Sequence, residues 1–213
     1  MTMERSPSTT NTAYGLRPGA EEFPLMVVIS IIYPCNFGCP MCPYTDSNSE
    51  LRRFYHDRGG DLMPVALWEK MADECGQYGA WMRCTGGGEP MLHPQMTGMV
   101  EYAKARGARI WMNTNGSMFG PLPQYRARLE RVLKAGIDLI EFSMDAGDPD
   151  TYARLRPPHR GAPRDPQKWW NDHVGNIRAA LAMRKEFRTT NRIVVSIIRQ
   201  HEIEGGSFSV SNL

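Results

Sequence analysis

Five short apolar runs alternate with longer stretches of helical spacing along this chain. The first, "LMVVISIIY" from Leu25 to Tyr33, is continuous and β-branched and predicts a strand buried on both faces. "SNSELRRFYHDRGGDL" then reads as a polar loop with a Gly-Gly break. In "MPVALWEKMADECGQYGA", Leu67, Met71 and Cys75 recur at i, i+4, i+8 with Pro64 near the start, which predicts a helix. "WMRCTG" is a second strand. "QMTGMVEYAKARGA" is a helix with Met96, Met99, Val100 and Ala103 on one side, closed by Gly107. "RIWMNTNG", "IDLIEFSMDA" and "RIVVSIIRQ" are the third, fourth and fifth strands. The helices "PLPQYRARLERVLKAG" and "WWNDHVGNIRAALAMRKEF" lie between them, the latter after the Pro-rich loop "RPPHRGAPRDP". Trp169 and Trp170 open that last helix and are expected to close the core. Alternating β and α segments with apolar strands predict an α/β fold on a parallel sheet, either open and doubly wound or a barrel.

The polar residues fall at the strand ends. Strand one runs into three cysteines and strand two into "GGGEP", Gly86 to Pro90. Strand three ends in "NTNG", Asn113 to Gly116, strand four in "SMDA", Ser143 to Ala146, and strand five in Arg199 and Gln200. Parallel α/β folds place their sites at the C-terminal ends of the strands. Together the five groups predict one pocket.

Composition narrows the class. At 213 residues, 41% hydrophobic and 23% charged, the chain can bury one real core. A formal net charge of +2 gives no reason to expect nucleic acid or an anionic membrane as partner. No apolar run reaches the roughly 18 residues of a membrane span. Residues 1–22 show no secretory h-region and are expected to be a disordered extension, so a cytoplasmic location is expected. In that compartment clustered cysteines point to a metal or to redox chemistry rather than to disulfides.

Three of the five cysteines, Cys35, Cys39 and Cys42, occupy "CNFGCPMC" with C-x3-C-x2-C spacing. Cys75 sits on an apolar helix face and Cys84 at the end of strand two; both read as core. Three clustered thiolates can hold three irons of a four-iron, four-sulfur cluster and leave one iron open. A closed zinc site would need a fourth ligand, with Cys84 or His93 as the candidates. His93 reads better as a loop histidine with a local hydrogen bond, and His56, His159, His173 and His201 lack metal-site spacing.

The cysteine motif at the end of strand one and "GGGEP" after strand two resemble the signature of the radical S-adenosylmethionine (radical SAM) superfamily. "CNFGCPMCP" and "SMDAGDPDTYARLR" resemble its SPASM-associated branch. The resemblance covers about residues 25 to 200. It implies a partial (β/α) barrel of the radical SAM type, and Cys35, Cys39 and Cys42 as ligands of a [4Fe-4S] cluster. S-adenosyl-L-methionine would sit on the fourth iron. Reductive cleavage would give a 5′-deoxyadenosyl radical that abstracts hydrogen from a peptide, sugar or small metabolite, with a flavodoxin or ferredoxin as electron donor. Gly86, Gly87, Gly88 and Glu89 would approach the methionine amine. Asn115 and Ser143 would face the ribose or carboxylate. Asp145 would do the same or cap the next helix, and Arg199 would pair with the carboxylate or lie in solvent. Met41 stands where the family often has an aromatic residue beside the adenine; Phe37 and Tyr44 flank it. No catalytic residue is singled out.

The family core has six βα units, and five are visible here. After Arg199 too few residues remain for a crossover and a sixth strand, so 201–213 is expected to be an irregular tail of an incomplete core, 23–200. The SPASM auxiliary domain has no cysteines here to build it. A truncated product, a minimal active form, or a chain completed by a partner across an open fifth-strand edge follows from that count, with a non-catalytic cluster-binding protein as the alternative function.

Overall fold

The computed structural model describes residues 23–44, 50–120, 122–159 and 161–197. The expectations for 1–22, for the tail 201–213 and for Arg199 lie outside them. The elements are β1 (Met26–Ile29), α1 (Glu50–His56), α2 (Val65–Tyr78), β2 (Trp81–Cys84), a 3-10 turn (Pro90–Leu92), α3 (Met96–Ala105), β3 (Arg109–Thr114), α4 (Pro123–Lys134), β4 (Leu139–Ser143), α5 (Pro149–Leu155), α6 (Pro166–Glu186) and β5 (Arg192–Ser196).

The five strands are all parallel and lie in chain order, β1-β2-β3-β4-β5. Right-handed crossovers between successive neighbours put every connecting helix on the same side of the sheet. That order decides between the two architectures left open by the sequence. A doubly wound sheet would need a reversal of strand order, and none is present among the described residues. The fold is a partial β/α barrel whose other face carries no helix among the described residues.

The strands show this asymmetry residue by residue. Met82, Cys84, Ile110, Met112, Ile140 and Phe142 have no exposed surface and pack under the helices. Their alternates Arg83, Trp111 and Glu141 point to the helix-free side and keep contact with solvent. The expectation of a first strand buried on both faces from Leu25 to Tyr33 is therefore corrected. It spans four residues, and Val28, on the helix-free face, is 63% exposed. Strand one is also an edge strand, and its apolar continuation Ile31 and Ile32 is buried loop.

Three further expectations change. Glu50–His56, inside the stretch read as polar loop, is a helical turn. On α2 the buried stripe is Trp68, Ala72 and Cys75, while Leu67 is 47% exposed. Trp68 wins the inward position because its indole N–H reaches the Met99 carbonyl at 2.7 Å and ties α2 to α3. After strand four the chain forms α5, capped by Asp148, whose carboxylate accepts from Thr151 N at 2.9 Å. Asp145 does not cap it. Asp165 caps α6 in the same way through Lys168 N, with Pro166 at the first helical position. Trp170 is buried, as expected of a core-closing residue. Among the described residues no helix is long and apolar enough to cross a membrane.

Candidate functional site

The cysteine loop leaves β1 and is held at the C-terminal rim from two sides. Gly38 N donates to the Pro157 carbonyl at 2.8 Å, and His159 N to the Asn36 carbonyl at 2.9 Å. The buried Phe37 ring packs on Trp169 with centroids 5.1 Å apart, so Phe37 is a packing residue. On the other side Asn115, just past β3, donates its Nδ2 to Asn36 Oδ1 at 2.8 Å and to Cys35 Sγ at 3.8 Å. Phe37 N also points at Cys35 Sγ, at 3.4 Å. The first thiol thus sits among N–H donors that favour a thiolate.

The glycine loop lies directly against this segment. A Cβ on Gly87 would come 2.4 Å from the Ile32 carbonyl oxygen, and one on Gly88 would come 1.8 Å from that of Pro34. Gly86 and Gly87 also have left-handed φ values of 80° and 70°. Glycine is needed here first of all to lock two loops together.

Glu89 follows, 2% exposed. Its carboxylate accepts from Thr114 Oγ1 and Asn115 N, both at 2.7 Å, and from Met91 N at 3.1 Å. These bonds tie the ends of β2 and β3. A carboxylate has about four lone-pair positions, so one remains for a further donor. Burial pushes its pKa up, against the three donors.

Strand four contributes Ser143 and Asp145. Asp145, at a left-handed φ of 58°, forms a buried ion pair with Arg156, which both Nε and Nη2 of the guanidinium make. Arg156 returns to the rim because α5 is only seven residues long. Sequence reading passed over it in favour of Arg199; the available signal was a second arginine right after the "SMDA" helix. The guanidinium keeps donors beyond the pair.

One cavity of about 300 Å³ gathers these groups. Its lining includes Cys35, Cys39, Met41, Cys42, Gly86, Gly87, Gly88, Glu89, Asn115, Ser143, Asp145 and Arg156. Every residue named from the sequence for the cluster or for S-adenosylmethionine that falls among the described residues is there. Tyr44 lines it too. Cys84 and His93 do not: Cys84 is buried in the core on the helix side, and His93 contacts the Met63 carbonyl and Gln95 N through its two ring nitrogens. Neither of these two is therefore placed to complete a closed zinc site with the three thiols. Among the described residues no three acidic, imidazole or thiol groups converge on a single-ion position. Three thiols around one cavity could each hold a different iron of a cluster. Burial pushes the Cys35 thiol up to about 11 and also raises Cys39, whose neighbour Arg156 opposes the shift. Ligation would have to displace those protons.

A family model described as the radical SAM superfamily matches residues 29–196. The chain belongs to the radical SAM superfamily. Its relatives are distant. The PqqA peptide cyclase of Xanthomonas campestris is 23% identical over 85% of this chain and 41% of that protein. The tungsten-containing aldehyde ferredoxin oxidoreductase cofactor-modifying protein of Pyrococcus furiosus is 31% identical over 55% of this chain and 30% of that one. The chain therefore spans less than half the length of these curated relatives. Among solved structures, Streptococcus suis SuiB bound to S-adenosylmethionine superposes with a TM-score of 0.57 over 84% of this chain and 36% of SuiB, at 16% identity. Methylornithine synthase (PylB) superposes with 0.52 over 81% and 44%, at 14% identity. Both support the radical SAM partial barrel, and the relatives fit the resemblance to the SPASM-associated branch.

Proposed function

We propose that residues 23–200 form a radical SAM core in which Cys35, Cys39 and Cys42 hold a [4Fe-4S] cluster and the rest of the cavity holds S-adenosylmethionine. The observation that carries this reading is the single cavity at the C-terminal strand ends, lined by the three thiols and by groups from β2, β3 and β4. When bound and reduced, the cluster supplies the electron that cleaves the cofactor to a 5′-deoxyadenosyl radical, which takes hydrogen from substrate.

This chain's residues bind and orient. The Gly86–Gly88 backbone and the remaining lone pair of Glu89 accept from the methionine ammonium. Asn115 and Ser143 meet the ribose or carboxylate. Arg156, held by Asp145 and already inside the cavity, is assigned the carboxylate, where a planar guanidinium fits. Arg199 is a second cation for the same end. Met41 packs beside the adenine as an adaptable apolar contact. The electron donor is a flavodoxin or ferredoxin. A peptide is the favoured substrate, since one relative is named a peptide cyclase and SuiB has been crystallised with its precursor peptide.

The test is anaerobic reconstitution with iron and sulfide, then dithionite and S-adenosylmethionine, with 5′-deoxyadenosine as readout and Cys39→Ala alongside. Deoxyadenosine that vanishes in the variant supports the reading. Four irons without deoxyadenosine would leave a cluster-binding protein that does not cleave the cofactor. Zinc without iron would overturn the ligand assignment.

A further inference from the structure

The helix-free face of the sheet carries side chains that nothing among the described residues covers. Cross-strand registers align Arg83 with Trp111, Trp111 with Leu139, and Leu139 with Arg192; Arg109 pairs with Trp81, and Asn113 with Glu141. The Arg83 guanidinium lies 3.9 Å from the Trp111 ring centroid, and that of Arg109 lies 4.0 Å from Trp81. The Trp111 indole N–H donates to Glu141 Oε2 at 2.7 Å, which fixes the ring on which Arg83 rests.

Arg83 spends only one donor on this arrangement. Its Nε reaches Asn113 Oδ1 at 3.3 Å, while Nη2 stays 3.8 Å from Glu141, beyond a hydrogen bond. Its terminal amino groups have no hydrogen-bond partner among the described residues, and the side chain is 31% exposed. Arg109 has a stacking contact and no ion pair among the described residues. The described strand positions on this face hold three arginines, Arg83, Arg109 and Arg192, against the single carboxylate Glu141. A flat indole, a stacked guanidinium and its open fork form a combination suited to a carboxylate. Large aromatics and arginine are also the residues on which binding surfaces rely.

The tier sits next to the site. Asn113 both holds Arg83 and lines the cavity. Arg83 lies two residues below the cavity-lining Thr85 on the same face, about 7 Å at the usual rise of a strand. We propose that this face is the substrate-binding surface and that the Arg83–Trp111–Glu141 tier, with Arg109, selects a peptide through an acidic side chain. The inference rests on the function proposed above and deepens it. Glu141 is a positioning residue, acting through Trp111.

A randomised, end-blocked hexapeptide pool passed over the immobilised full chain, without cluster or S-adenosylmethionine, tests this directly. Mass spectrometry of the retained fraction should show Asp and Glu enriched about tenfold over Asn and Gln, the size expected of one charge-assisted fork. Arg83→Gln should abolish the enrichment. Arg83→Lys, which keeps the charge and loses the fork, should leave only part of it. Arg126→Gln on the outer surface should change nothing. Melting curves establish that each variant is folded. No retention, no acidic enrichment, or enrichment that survives both Arg83→Gln and Arg109→Gln overturns the inference. Enrichment in a chain that makes no deoxyadenosine would count against the proposed chemistry alone; deoxyadenosine without enrichment would count against this surface alone.

Discussion

Gly88→Ala probes the lock between the cysteine and glycine loops. Its new methyl carbon would lie 1.8 Å from the Pro34 carbonyl oxygen, 2.4 Å from the Pro34 carbonyl carbon and 2.6 Å from the Tyr33 oxygen. Carbon and oxygen approach to about 3.3 Å without strain, so the two loops must part by about 1.5 Å. The obstacle is backbone, which has no rotamer to change. Parting also loosens the bonds from Gly88 N to the Ile32 carbonyl and from Glu89 N to that of Pro34. Overpacking of this kind costs about 1–3 kcal/mol, and each weakened bond adds about 1 kcal/mol. A total of about 3 kcal/mol or more corresponds to a fall in Tm of about 6–12 °C for a domain of this size. The assay is thermal unfolding of the chain without cluster, so cofactor loss does not contribute. Gly175→Ala is the matched control: a Cβ there meets nothing within 4 Å, and the helix α6 should gain up to about 1 kcal/mol. A Gly88→Ala protein melting within about 2 °C of wild type would refute the close-packing account of "GGG".

Asp145→Ala should cost about 3–5 kcal/mol in urea unfolding, because it strands Arg156, whose side chain is only 13% exposed. Adding Arg156→Leu should recover part of that loss, and strict additivity of the two changes would contradict the pairing. Acid should act through His173, which burial pushes down to about 3; the Asn115 backbone lies close enough to oppose the shift but outside hydrogen-bonding geometry. The unfolded chain takes up that proton near pH 6.5 and the folded chain does not. This contribution to stability is therefore complete above about 6.5 and is lost as pH falls toward 3, by about 2 kcal/mol at pH 5. His173→Phe should flatten that part of the profile, and equal wild-type and variant slopes between pH 7 and 5 would rule it out.

The β-α alternation and the rim were legible because strand-length apolar runs and glycine-rich ends are local signals. The facing of each strand was not. "LMVVISIIY" looks the same whether its alternate residues meet a helix or an open lumen, and the strand order that decides it is a long-range property. Likewise Leu67 and Trp68 are adjacent on α2, and only the reach of the indole to Met99 on another helix selects the inward one. The sequence offered Asp145 as a cap of the next helix; Asp148 takes that place, and Asp145 is engaged instead by the ion pair to Arg156. Arg83 and Glu141 carried no motif, since their meaning comes from lying beside Trp111 across two neighbouring strands.

A sheet whose spatial order equals its chain order also has a direction of assembly. Each strand pairs with the one made just before it, so no strand waits for a distant partner, and loop-closure costs stay low. All three cysteines and the glycine loop that clamps them fall before Pro90, within the first two βα units. During synthesis from the N-terminus the clamp can therefore form before the Asp145–Arg156 pair exists. The cysteine half of the rim can be built first, and the cation that completes the cavity closes onto it afterwards.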